Sequence, residues 1–266
     1  MTNVPLALSK LRAHLEHLKE EGVREVDVSA EQLAALRQLG LKPRAIRTEA
    51  PPSPPPPRAA APASPRPART GDPVIDGLAD IATEVAACEK CRLCKTRTNV
   101  VPGQGHTQPE IMFIGEGPGA DEDLQGLAFV GRAGQLLTRI IEAMGLTRDQ
   151  VFIGNVVKCR PPDNRTPMPD EMAACVPYLE RQIALLKPKV IVALGATAVK
   201  GLFNDPKISI TRLRGSWMKY QGIDTMPTLH PAYLLRNPPA KREVWEDMKN
   251  VLTHLGKPIP ESTKKE

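Results

Sequence analysis

Ile111-Met-Phe-Ile114, then Gly115-Glu-Gly-Pro-Gly-Ala-Asp-Glu-Asp-Leu-Gln-Gly-Leu-Ala-Phe-Val-Gly-Arg-Ala-Gly134, then Gln135-Leu-Leu-Thr-Arg-Ile-Ile-Glu-Ala-Met144 decide how this 266-residue chain folds. An apolar run, a glycine-rich loop and a helical repeat, in that order, are how α/β proteins set a ligand at the carboxyl end of a strand. Gly115, Gly117 and Gly119, with Pro118, let backbone approach a ligand where side chains would stand in the way. Glu116 lies within the loop, and Phe129 stands alone among small residues downstream. A carboxylate and an aromatic ring beside such a loop predict a pocket for something flat and polar. A phosphate-binding turn is the competing reading, but Glu116 repels phosphate and no lysine follows as in a P-loop.

Three more apolar runs repeat the design. Val151-Phe-Ile-Gly-Asn155 ends on an amide, Val190-Ile-Val-Ala-Leu-Gly195 on glycine and Met226-Pro-Thr-Leu-His230 on imidazole. Short apolar runs bounded by turn residues are expected of strands buried on both faces. Amphipathic helices separate them. Leu136, Leu137, Ile140, Ile141 and Met144 share one helical face that Gly145 terminates, and Met172, Cys175, Val176, Leu179, Ile183 and Leu186 form the next stripe. Strand alternating with helix predicts an α/β fold: three α/β/α layers around a central, mainly parallel four-stranded sheet. Glu116, Asn155 and His230 then converge over the carboxyl edge of that sheet. A lone buried Asn or His is commonly a satisfied structural group; three at matching strand ends predict a site.

The charge of +6 and pI of 9.1 invite a polyanion partner, but much of the excess is not on the predicted α/β body. Residues 51–70 hold Arg58, Arg66 and Arg69 with no acid, while residues 1–50 nearly balance with 8 basic and 7 acidic side chains. The opening Met-Thr-Asn-Val-Pro has no long apolar core behind it, and no transmembrane stretch follows. The expectation is a cytoplasmic protein with no membrane partner, acting as a monomer.

Residues 51–70 are a Pro/Ala-rich linker that favours extended polyproline II over any core. Before it, Leu8, Leu11, Leu15 and Leu18 make a helical stripe, and Ser29-Ala-Glu-Gln32 resembles a capping box ahead of Leu33, Leu36 and Leu39. The expected organisation is a small helical extension over 1–50, whose partner is not readable, the linker over 51–70, the main domain over 71–257 and a flexible tail over 258–266. Cys88, Cys91, Cys94, Cys159 and Cys175 complete the inventory. Cys-x2-Cys-x2-Cys in an intracellular chain points to metal more than to disulfides. Four thiolates hold either zinc or an iron–sulfur cluster, spacing does not separate the two, and one cysteine is spare.

From Cys88 to Leu255 the chain resembles the family-4 uracil–DNA glycosylases, the iron–sulfur branch of their superfamily. The residues that carry the resemblance are Cys88-Glu-Lys-Cys91, Gly115-Glu-Gly-Pro-Gly119, Ala128-Phe-Val-Gly-Arg-Ala-Gly134, Asn155-Val-Val-Lys-Cys-Arg-Pro-Pro162, Cys175 and His230-Pro-Ala-Tyr-Leu-Leu-Arg236. The resemblance implies a [4Fe–4S] cluster on Cys88, Cys91, Cys159 and Cys175, leaving Cys94 out. It also implies a uracil pocket lined by Gly115, Glu116, Gly117, Phe129, Asn155 and His230, with uracil-containing DNA as partner. Gly117 stands where the family usually has alanine, a change expected to loosen the loop. Residues 1–70 have no counterpart in minimal members. The stretch Gly131–Leu137 lacks the basic, histidine-bearing insertion of relatives that crosslink to uracil, so ordinary turnover is expected.

Uracil inside a duplex is unreachable, so such an enzyme extrudes the nucleotide into its pocket. Phe129 is expected to stack on the base, and Asn155 to read O4 and N3–H, the edge where cytosine presents the opposite pattern. His230 is expected to stabilise charge growing on O2. Glu116 is a candidate both for orienting water and for the wall that excludes thymine. Asp121, Glu122 and Asp123 read as an exposed acidic helix start. Tyr233, Leu234 and Leu235 are candidate wedges, and Arg132, Lys158, Arg160, Arg165 and Arg236 candidate phosphate contacts. The rival readings are a non-catalytic thiolate-metal DNA-binding module and a nucleotide-binding regulator. Both predict that no base is released from uracil-containing DNA.

Overall fold

The computed structural model describes residues 69–260. The expected helical extension, nearly all of the linker and most of the tail lie outside the described residues. Among the described residues, eight α-helices and six strands follow Arg69: α1 (Pro73–Ala86), β1 (Gln104–Gly105), β2 (Ile111–Gly115), α2 (Ala120–Gln125), α3 (Arg132–Ala143), β3 (Phe152–Asn155), α4 (Pro169–Leu186), β4 (Val190–Leu194), α5 (Ala196–Phe203), α6 (Ile210–Leu213), β5 (Met218–Tyr220), β6 (Ile223–Thr228), α7 (Pro231–Arg236) and α8 (Lys241–His254).

The sheet runs β1-β3-β2-β4-β6-β5. Its inner strands β3, β2, β4 and β6 are all parallel, with Gly115 opposite Asn155 and Leu194 opposite Thr228. These are the four strands the apolar runs predicted. The sheet is nevertheless six-stranded, because β1 and β5 pair antiparallel at its two edges. Both edge strands are too short to show a period. β5 and β6 are joined by Gln221 and Gly222, each at positive φ (48° and 84°), the conformation a two-residue hairpin turn requires.

Alternate residues of each inner strand feed opposite faces. Ile111, Phe113, Ile153, Val192 and Met226 pack with Leu137 and Ile141 of α3 and Met248 and Val251 of α8. Met112, Ile114, Phe152, Ile191 and Ala193 pack with Ile81 and Val85 of α1, Leu179 and Ile183 of α4 and Val199 and Leu202 of α5. Burying each such branched side chain contributes about 1.5–3 kcal/mol, so a strand covered on both faces stays inside the sheet. From β2 the chain passes to β3 on one side, then crosses back to β4 on the other. The crevice opens at that reversal, beyond the carboxyl ends of the strands.

Candidate active site

A cleft of about 510 Å³ sits at this reversal, lined by Glu116, Gly117, Phe129, Asn155 and His230, with Arg132, Arg165, Tyr233 and Arg236 among its outer residues. Gly115 lies beneath it. A Cβ there would fall 2.5 Å from both Asn155 Oδ1 and Phe129 Cζ, so only glycine lets these two groups meet over β2. At Gly117 a Cβ would stand 2.7 Å from Val157 Cγ2. The glycine expected to loosen the loop is thus a fit to Val157, which lies against it.

Phe129 is held in an unusual way. Its φ is +52°, a conformation costly for a bulky residue. Arg148 donates from Nη1 to the Phe129 carbonyl at 3.0 Å and from Nη2 to the Ala128 carbonyl at 2.7 Å. Gly134 leaves room for the same backbone, since a Cβ there would fall 2.0 Å from the Phe129 carbonyl. The ring is thereby set 5.8 Å from the imidazole of His230, tilted by 36°.

The acidic run after the loop does start a helix, and Asp121 is exposed as expected, but the other two acids are not. Glu122 and Asp123 are buried. Glu122 accepts from the amides of Gly119 (3.1 Å), Val130 (2.9 Å) and Gly131 (2.9 Å), stitching the glycine loop to the Phe129 loop. Asp123 accepts from the amides of Thr98 and Asn99, at 2.8 and 3.3 Å.

Asn155, 1% exposed, ends β3. Its Oδ1 is buried at the cleft with no hydrogen-bond partner. Such an atom is costly unless a ligand donates to it. His230 lies two residues beyond β6, as the N-cap of α7, and not at the strand end. Its Nδ1 accepts the Ala232 amide hydrogen at 3.1 Å. Burial, helped by Arg236, pushes its pKa down to about 4. The neutral ring therefore carries its proton on Nε2. Burial pushes the Glu116 carboxyl up, opposed by a hydrogen bond from the Thr197 side chain.

Two expected DNA contacts do not reach the surface. Lys158 is 0% exposed and donates to the Asn155 carbonyl (2.8 Å) and Gln182 Oε1 (2.7 Å), with its pKa lowered by burial to about 8. The polar context of its neighbours in sequence suggested a surface position, but Gln182 of α4 supplies the partner that buries it. Leu234 is 0% exposed and packs into the core, and Leu235 is partly buried against it. Tyr233 alone of the wedge candidates is exposed, at 41%. Arg132 and Arg236 are exposed at the rim. Arg165 is gripped by Glu171 at 2.8 and 2.7 Å, and Arg160 donates to Asn164 Oδ1 at 2.7 Å.

Behind the cleft, Cys159 and Cys175 are buried in the core cluster against which Cys88 and Cys91 pack. Cys91 and Cys88 bear electrostatically on Cys159, and Cys91 and Cys159 on Cys175, whose thiol burial pushes up to about 11. Arg97 Nη1 donates to Cys159 Sγ at 3.1 Å and the Lys158 amide to Cys175 Sγ at 3.3 Å. Donors aimed at buried sulfurs suit thiolates. Among the described residues, no three His, Cys, Asp or Glu side chains converge tightly enough for a single metal ion. Nor is any described helix long and apolar enough to cross a membrane.

Residues 102–249 match the family model described as the uracil DNA glycosylase superfamily. The chain is 50% identical over 185 residues to the type-4 uracil-DNA glycosylase of Sulfurisphaera tokodaii, covering 66% of this chain and 84% of that protein. It is 48% identical over 184 residues to the type-4 enzyme of Thermotoga maritima, covering 68% and 96%. Similarity to the type-5 uracil-DNA glycosylase of Thermus thermophilus is lower, 32% over 117 residues, covering 38% and 53%.

Proposed function

The chain belongs to the type-4 uracil-DNA glycosylases of the uracil DNA glycosylase superfamily, and from that premise we propose how its own residues carry the reaction. The enzyme excises uracil in DNA repair by hydrolysing the N-glycosidic bond, which releases the free base and leaves an abasic site. The observation that carries the residue assignment is the unpartnered, buried Oδ1 of Asn155 beside Phe129 and His230.

Phe129 stacks on the extruded base. Asn155 Oδ1 accepts from N3–H while its amide donates to O4, so a base with the reverse pattern leaves buried groups unpaired. As the C1′–N1 bond lengthens, negative charge grows on the departing uracil. His230 donates to O2 from Nε2, the nitrogen left protonated because Nδ1 is occupied by the Ala232 amide. A neutral donor suits this task, and a pKa of about 4 keeps the ring neutral at physiological pH. Glu116 orients the water that attacks C1′. Its raised pKa makes it a better base than an exposed carboxylate. Arg132 and Arg236 contact phosphates at the rim, and Tyr233 fills the gap left by the flipped base.

Cys88, Cys91, Cys159 and Cys175 hold a [4Fe–4S] cluster in this reading. The support is their common packing and the two donors aimed at sulfur. The cluster supplies a cross-link between segments far apart in sequence, since hydrolysis needs no redox step. Incubating the protein with a uracil-containing oligonucleotide, followed by alkali cleavage, tests the assignment. Cleavage at the uracil position is expected, and an intact strand with the chromophore present overturns it.

A further inference from the structure

The peptide between Phe129 and Val130 is held at both ends by opposite charges from different parts of the chain. Its carbonyl oxygen accepts from Arg148 Nη1 at 3.0 Å, and its amide donates to Glu122 Oε1 at 2.9 Å. The flanking peptides are held in the same manner. Arg148 Nη2 donates to the Ala128 carbonyl at 2.7 Å, and the Gly131 amide donates to Glu122 Oε1 at 2.9 Å. Arg148 is itself fixed. Its Nη1 also donates to Thr138 Oγ1 at 3.1 Å, and that hydroxyl donates to the Gly134 carbonyl at 3.1 Å. The turn Arg148–Gln150 is closed by Gln150 Oε1, which accepts from the Thr147 amide at 2.8 Å.

We infer that Arg148 is a positioning residue for base recognition: pulling against Glu122, it holds Phe129 in its left-handed backbone conformation and so keeps the ring where uracil stacks. The inference rests on the stacking role given to Phe129 above. At φ +52° a residue with a large side chain has left its preferred backbone region. Glycine would take that conformation without cost, but it would bring no ring. An aromatic face at this position therefore needs an external hold on its backbone, and strain kept by surrounding bonds is common where a site is preorganised. Charged partners make stronger hydrogen bonds than neutral ones, and the planar guanidinium presents its donors as a rigid fork that spans two neighbouring carbonyls. The ring has little freedom to drift. A Cβ on Gly115 would fall 2.5 Å from Phe129 Cζ, so the ring tip rests directly against that glycine, and a turn of the Phe129 backbone would carry it away.

In the full-length holoenzyme, single-turnover uracil release is measured for Arg148→Met, Phe129→Leu and the double variant, with thermal unfolding and visible absorbance as fold controls. Affinity for an oligonucleotide carrying an abasic site is measured alongside. Losing an aromatic face under a base implies release slower by about 10- to 100-fold in Phe129→Leu, and Arg148→Met should approach the same loss. Arg148→Met should add no further loss in the Phe129→Leu background. An abasic site has no base to stack, so affinity for it should stay unchanged. Arg148→Lys keeps the charge but not the planar fork and is the gentler change to the fold. It should lose less, again only where the Phe129 ring is present. An arginine that merely braces the fold would cost the same in both backgrounds and would weaken abasic-site binding as well. Wild-type release by every Arg148 variant that folds, equal losses in both backgrounds, or weakened abasic-site affinity overturns the inference while the Phe129 reading stands. Wild-type release by Phe129→Leu overturns that reading, and this one with it.

Discussion

Nζ of Lys158 donates to the carbonyl oxygen of Asn155 at 2.8 Å, inside the protein, on the residue proposed to read the base. The same nitrogen reaches Gln182 Oε1 at 2.7 Å, and Gln182 Nε2 donates to the Pro102 carbonyl at 2.8 Å. The chain of bonds ties the end of β3 to α4 and to the segment ahead of β1. Lys158→Met fills the space and leaves two buried acceptors without a donor, at about 1–3 kcal/mol each. The expected result is a melting temperature lower by several degrees, since about 1 kcal/mol corresponds to 2–4 °C at this size. Thermal unfolding by circular dichroism measures it, and an unchanged transition would show that the network contributes nothing.

Asn155→Ala removes two bonds to the base, each worth about 0.5–1.5 kcal/mol net, so uracil release should fall about 10- to 100-fold. Asn155→Asp should gain activity on cytosine at pH values low enough to protonate the acid, because a protonated carboxyl offers a donor where cytosine presents an acceptor. Single-turnover assays on uracil and cytosine oligonucleotides decide both points. Wild-type rates in the alanine variant refute the role.

The pH profile should carry one acid limb, and its owner should be Glu116. Burial raises that carboxyl above its ordinary value of 4.5, and the working form is the carboxylate, so activity falls as pH drops through the raised pKa. His230, with a pKa of about 4, is neutral throughout the range where Glu116 works and adds no limb near neutrality. Stability has the opposite owner. The His230 ring is depressed from 6.5, so the unfolded chain binds the extra proton and stability declines as pH falls from about 6.5 to about 4. Rate–pH curves of wild type and Glu116→Gln test the first statement: the limb should vanish in the variant. Unfolding curves of wild type and His230→Gln across that window test the second.

Substituting serine at Cys88, Cys91, Cys159 or Cys175 should bleach the protein and lower its stability, whereas Cys94→Ser should keep colour and activity. Iron content and absorbance measure this. A requirement for Cys94 but not Cys88 would reassign the ligand set.

Removing residues 1–70 should leave cluster, melting transition and uracil release intact. The domain from Gly71 keeps its own helix start, because Asp72 accepts from the amides of Val74 (2.7 Å) and Ile75 (3.2 Å). Losing Arg58, Arg66 and Arg69 should reduce the salt dependence of DNA binding modestly, as each can neutralise one phosphate. A colourless or insoluble truncated protein, or collapsed turnover at low salt, would make the extension part of the enzyme.

Much of this was legible in the sequence because it is encoded locally. The four inner strands showed as short apolar runs, α3 and α4 as stripes at helical spacing, and the β2–α2 loop as glycines around one carboxylate, each within a window of about a dozen residues. Glu116, Asn155 and His230 could be named for the same reason, each lying at or just past the end of an apolar run, and Phe129 as the lone aromatic among small residues downstream of the glycine loop. Tertiary structure alone decided which polar groups are partnered and which side chains face solvent. Lys158 looked available because it opens a polar stretch, and Leu234 because it follows His230-Pro231, yet Gln182 of α4 pairs with one and the core takes the other. Glu122 and Asp123 resembled an ordinary helix start, yet their carboxylates accept from amides of separate loops. Periodicity and turn chemistry report what a residue does to its own backbone. Burial and pairing depend on what the rest of the chain brings to it, and no local window contains that.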